Sequence, residues 1–141
     1  RRCSGGRALA DGMTAGWSPF DDGDLADWSV QLPADYAGGT FTCQFTWTAA
    51  AGTGNVVWQI AAFVNSDNVE LIDTAVGTYA TVTDAIGTVN RAFITGTTVM
   101  TTGGTTPNAG EFIHIRIKRD TTHASDTFDN TPYLIGAKLE Y

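Results

Sequence analysis

The chain has 141 residues, 43% of them hydrophobic, which suits one domain with a core of its own and is too apolar for a disordered tail. A net charge of −7 argues against a nucleic-acid partner, which needs clustered Lys and Arg, and against an anionic membrane surface. No stretch approaches the roughly 20 consecutive apolar residues that span a bilayer.

Residues 1–16 are rich in Gly, Arg and Ala without any period, and are predicted to be a flexible N-terminal arm ahead of a β-sandwich domain over residues 17–141. The first residue is Arg1 rather than Met, which suggests a processed chain or a piece of a longer one. Residues 1–13 lack the apolar centre of a signal peptide. Cys3 lies in the arm and Cys43 in an apolar phase. A bridge between them and a simple buried Cys43 both remain open, and the redox compartment with them.

Residues 17–27 (WSPFDDGDLAD) form a turn-rich entry. Carboxylates as close as Asp21, Asp22, Asp24 and Asp27 raise the possibility of Ca²⁺, but their spacing fails the EF-hand pattern and Asp-Gly favours turns for local reasons. No metal or other cofactor is expected. Trp28, Val30 and Leu32 then alternate with polar residues up to Pro33, which cannot donate to a ladder.

Residues 40–48 (TFTCQFTWT) carry the cleanest period of two, with Phe41, Cys43, Phe45 and Trp47 on one face and a Thr-rich ladder on the other. A second run, Val56 to Val64, follows a Gly-containing connector, and the pair reads as an antiparallel hairpin. Val57, Ala61 and Phe63 make its other face apolar too, so this strand is expected to be covered on both sides. Residues 65–76 read as a helical turn or a crossing loop. Tyr79, Thr81 and Thr83 suggest a brief strand with Ala80, Val82 and Asp84 opposite. Residues 89–100 read as one strand with an irregularity at Gly96.

A polar loop at 101–110 precedes a strong strand, with Ile113, Ile115 and Ile117 facing in and His114, Arg116 and Lys118 facing out. Another polar loop covers residues 120–132. In the last strand Tyr133, Ile135, Ala137, Leu139 and Tyr141 share one face. Seven or eight short strands without a helical period predict an all-β, antiparallel two-sheet β-sandwich of jelly-roll-like form. Its core is expected to include Phe41, Phe45, Trp47, Trp58, Ile60, Ile113, Ile115, Ile117 and Leu139.

Few groupings point to chemistry. His123, Ser125 and Asp126 are the residue types of a triad, but they sit together in one loop with no elbow to expose a nucleophile. The better reading is that Arg119 pairs with Asp126 and pins the loop. Two histidines make zinc improbable, and His114 reads as a solvated strand residue. The Gly-rich segments lack the Lys-Ser/Thr of a phosphate loop. Trp28, Trp47 and Trp58 fall in apolar phase, whereas Trp17 is out of phase and is the candidate contact for a ligand or a neighbouring subunit. No enzymatic activity is expected.

Three stretches of the sequence carry motifs that belong together. The first holds Pro33, Asp35 and Tyr36, then Trp47, Thr48 and Ala49, then Gly54, Val56 and Trp58. The late stretch holds Ile117, Arg119, Asp120, Asp126 and Thr127, then Leu134, Gly136, Glu140 and Tyr141, and a Thr-rich middle lies between. Together these stretches resemble a group of β-sandwich domains in structural proteins of tailed bacteriophages, and the resemblance covers residues 28–141. It implies an extracellular virion-surface protein, a capsid decoration or a tail or fibre component, acting by contact with other virion proteins and with itself as a homo-oligomer, a trimer favoured. The alternative is a glycan-binding module for attachment to a host or another surface.

Overall fold

A computed structural model of the protein describes residues 18–66, 77–104 and 106–141. These hold ten strands: β1 (Ser18–Pro19), β2 (Leu25–Gln31), β3 (Phe41–Thr48), β4 (Asn55–Asn65), β5 (Ala80–Ala85), β6 (Phe93–Ile94), β7 (Thr98–Met100), β8 (Thr102–Gly104), β9 (Phe112–Arg119) and β10 (Tyr133–Glu140). No helix occurs among the described residues. The arm at 1–16, Trp17, Cys3 with its partnership to Cys43, and most of the 65–76 segment lie outside them.

The strands form two sheets that pack as a sandwich. One runs β1-β10-β3-β6, with β7 also on β3, and the other runs β2-β9-β4-β5, with β8 also on β4. All pairs are antiparallel except β8 with β4. The pairs nest like one long hairpin: β1 with β10, β2 with β9, β3 with β6 and β7, β4 with β5. Rolling that hairpin brings β10 against β3 and β9 against β4, which is the order of a jelly roll.

The core follows the apolar phase. Phe41, Phe45, Trp47, Trp58, Ile60, Ile113, Ile115, Ile117 and Leu139 are all buried, and Trp28 and Val30 pack half-buried against them. Aromatic contacts join the layers: Phe45 stacks on Trp58, and Trp47 meets Trp58, Phe93 and Phe128. Loops contribute more than their composition suggests, since Phe20, Leu32, Tyr36 and Phe128 are also buried.

Three sequence expectations are corrected. β3 and β4 are not a hairpin, because they belong to different sheets; residues 49–54 arch from one layer to the other. Residues 89–100 are not one strand. Asn90 takes a positive φ in a turn, and buried Thr95 separates β6 from β7. The Thr95 hydroxyl accepts the Phe45 amide at 3.0 Å, so a side chain serves β3 where the strand breaks. β10 does not keep one face throughout. Leu134 pairs with Trp47 but Gly136 pairs with Thr46, so Ile135 is an extra residue, a bulge. Leu134 is therefore buried on the same side as Leu139, out of phase with it in sequence.

β4 is covered on both faces, as its apolar run suggests. Outward-facing Val57, Ala61 and Phe63 are buried along with inward Val56, Trp58 and Ile60. Glycines close over Phe63: a Cβ at Gly103 or Gly104 would lie 3.1–3.3 Å from its ring.

Candidate functional site

Basic side chains are scarce beyond residue 16, only Arg91, Arg116, Lys118, Arg119 and Lys138. Two of the five project from the outer face of β9, in line with His114, because alternate residues of a strand share a face. The register sets their neighbours. Asp27 lies opposite Arg116, Ser29 opposite His114 and Leu25 opposite Lys118 on β2, while Ala61 and Gln59 flank them on β4.

Arg116 grips Asp27 with two parallel bonds, Nε to Oδ1 at 2.7 Å and Nη2 to Oδ2 at 2.9 Å. The guanidinium hydrogen bond holds the Asp27 carboxyl below its ordinary range, against the opposing effect of burial, with further help from the charges of Arg116 and His114. His114 Nε2 lies 3.7 Å from Asp27 Oδ1, and its Nδ1 is 3.4 Å from the Ser29 hydroxyl. Arg116 also hydrogen-bonds Tyr79, and the Lys118 ammonium stands 4.4 Å from that ring's centroid. The result is a flat polar face with cations, amide and hydroxyl groups, one aromatic ring and exposed Phe112 at its border.

The opposite sheet presents different chemistry. On its outer face Thr42 pairs with Val99 and Thr46 with Ile94. Val99 is 58% and Ile94 63% exposed, a high value for branched aliphatic side chains.

Arg119, the last residue of β9, is buried and ion-paired with Asp126, Nη2 to Oδ1 at 2.6 Å and Nε to Oδ2 at 3.0 Å. It also donates to the carbonyls of Phe128 and Asn130. Asp126 Oδ2 accepts the Val57 amide at 2.9 Å, which ties the 120–132 loop to β4. Asp126 thus faces Arg119, and His123 Nδ1 accepts the Ser125 amide, so His123, Ser125 and Asp126 do not form a relay.

The acidic entry segment also divides. Asp24 accepts the Asp21 amide, Asp21 accepts from the Thr131 hydroxyl and Asp22 from the Thr121 hydroxyl. Asp27 belongs to the Arg116 pair. No group of three or more His, Cys, Asp or Glu among the described residues is placed to hold a metal ion. Trp17 lies outside the described residues.

Two residues were not singled out as sites from sequence. Asp84 faces inward from β5 and accepts the Trp47 indole N–H at 2.8 Å. Its signal was an acid in the phase of Ala80 and Val82. Tyr79 gave no signal, because nothing local places it over β9. Comparison with protein-family models, with curated proteins and with solved structures finds no match to this chain.

Proposed function

We propose that the protein is a non-enzymatic structural component of a phage-like virion, a capsid decoration or a tail or fibre element at the virion surface. It works by contacts with other virion proteins and with copies of itself, most simply as a trimer. The observation that carries this reading is the outer face of β3, β6 and β7. There Ile94 and Val99 stand exposed beside Thr42, Gln44 and Thr46, and no charged side chain lies on these three strands. Interface centres exclude charge and favour flat, well-packed apolar contact. The jelly-roll order, used by viral capsid and lectin domains, is compatible with it, and so are the motifs of residues 28–141. Light scattering of the full chain at tens of micromolar, together with electron microscopy of native particles, tests it. A strictly monomeric mass and no particle association would overturn it.

A second reading, a glycan-binding module, is favoured by the opposite face. Tyr79, Lys118, Arg116, His114 and Asp27 offer the ring and hydrogen-bonding groups that hydroxylated ligands use. A glycan array with the wild-type chain and with Tyr79→Ala tests that reading; binding lost in the variant would support it.

A further inference from the structure

The chain carries a net charge of −7, and its charges are not spread evenly. Exposed Asp21, Asp22 and Asp24 lie against the 120–132 loop, which adds exposed Asp129. Asp21 accepts from Thr131 there and Asp22 from Thr121, so the carboxylates gather at one end of the sandwich. The outer face of β2 and β9 carries the Asp27–Arg116 ion pair and Lys118. The outer face of β3, β6 and β7 differs from both. Neither β3 nor residues 93–100 (FITGTTVM), which hold β6 and β7, contain a charged residue. Lys138 and Glu140 flank this face from β10, opposite Gln44 and Thr42, and pair with each other. Arg91 precedes β6 at its border.

We infer that association of the chain with a second copy through the Ile94–Val99 face is controlled by ionic strength, and that added salt promotes it. The inference rests on the proposed self-contact and names what regulates it. Charge selects the face. Two acidic copies that met at the Asp21–Asp129 end would bring like charges together. Meeting on the outer face of β2 and β9 would strip water from an ion pair. On the Ile94–Val99 face they touch without either cost, and the charge that opposes them is that of the whole subunits. Such repulsion acts over a distance set by screening, about 30 Å at 0.01 M salt and about 8 Å at 0.15 M. The centres of two touching domains of this size stand roughly 40 Å apart. The subunits therefore repel across the contact in dilute salt and are largely screened from each other at physiological salt. For net charges of this size the difference amounts to about tenfold in the association constant of one pair. A contact built from ion pairs would respond in the opposite direction.

Sedimentation equilibrium of the full chain, in sodium chloride from about 0.01 M to about 0.15 M, tests this. The association constant should rise at least about tenfold over that range. An Asp22→Asn/Asp24→Asn variant separates screening from any other effect of salt. It removes two negative charges away from the face, and the amide oxygens still accept the hydrogen bonds that Asp22 and Asp24 receive. The variant should associate several-fold more tightly than the wild type in dilute salt and show a shallower rise. Association that weakens with salt, or does not change, would overturn the inference. So would a variant whose rise matches that of the wild type. A monomer at every salt concentration, in both proteins, would overturn the self-contact itself, which is a different failure.

Discussion

Trp47 and Trp58 meet edge to face inside the sandwich, ring centroids 6.2 Å apart and planes at 60°, although they come from opposite sheets. The arch at residues 49–54 makes this contact possible, and Phe93 and Phe128 complete the surroundings of Trp47. Trp47→Ala is expected to cost roughly 3–5 kcal/mol, the usual range for deleting a buried large aromatic. Trp47→Phe keeps most of the packing but removes the indole N–H from Asp84, and about 1–3 kcal/mol is expected. Urea denaturation of both variants checks the pair; a loss near zero in Trp47→Phe would mean that the hydrogen bond contributes nothing.

How far the sequence could be read depends on whether a feature is local. The phases of β3, β4 and β9 were legible, because Phe41 to Trp47, Val56 to Val64 and Ile113 to Ile117 each repeat every second residue, and that period alone decides which side meets the core. The β3–β4 connection was not, since the same alternation serves a hairpin within one sheet and an arch between two. The bulge at Ile135 was hidden by its own apolarity: Tyr133, Ile135 and Ala137 look like unbroken alternation. Of the candidate sites, the Arg119–Asp126 pair lies within one strand-loop unit and could be proposed from sequence. Tyr79 over Lys118 and Asp84 under Trp47 depend on long-range register, which no local pattern carries.

The arch itself depends on a glycine. Gly54 has φ +101°, and a Cβ there would sit 2.4 Å from the Thr127 carbonyl oxygen. Backbone strain and collision with a fixed loop act together, so Gly54→Ala is expected to destabilise by more than about 2 kcal/mol. Gly23 has a positive φ as well, but open space around it. Gly23→Ala should therefore cost less, and thermal melts of the two side by side separate collision from strain.

Arg119 and Asp126 are each nearly inaccessible, 7% and 3% exposed at the side chain. Removing one partner leaves a buried charge, so Asp126→Ala or Arg119→Met is expected to cost about 3–5 kcal/mol. The double variant should lose less than the sum of the singles, because the second substitution removes the stranded charge. A double-mutant cycle by chemical denaturation checks this, and strict additivity would show the two to be uncoupled.

Acid stability should depend on the Asp27–Arg116 pair. The folded protein holds Asp27 below its ordinary value of 3.8, first through the Arg116 hydrogen bond. A lowered folded value means that the carboxylate contributes stability above pH 3.8 and loses it as pH falls through the folded value. Asp120 and Asp129 are shifted the same way, by hydrogen bonds from Thr122 and Thr53. Unfolding free energy should therefore fall below about pH 4. Arg116→Ala should make that decline shallower, by ~1 kcal/mol or less, because Asp27 is 37% exposed and solvent screens the pair. Denaturation midpoints from pH 2 to 7 decide; an unchanged decline in the variant would exclude Asp27 as a contributor.

Assembly is expected to run through Ile94 and Val99. Both side chains point outward from strands that pair with β3, so neither is part of the core. Ile94→Asp and Val99→Asp should therefore leave the stability of the isolated fold within about 0.5 kcal/mol, as surface substitutions usually do. A charge at the centre of an interface must be desolvated without a partner, which disfavours association strongly. The expected outcome is an oligomer, a trimer favoured, for the wild type and a smaller species for either variant. Light scattering across a concentration series reads the mass, and circular dichroism confirms that the variants remain folded. Variants that assemble as the wild type does would move the interface elsewhere, and the polar face of β2 and β9 would be the next to test, with Arg116→Glu.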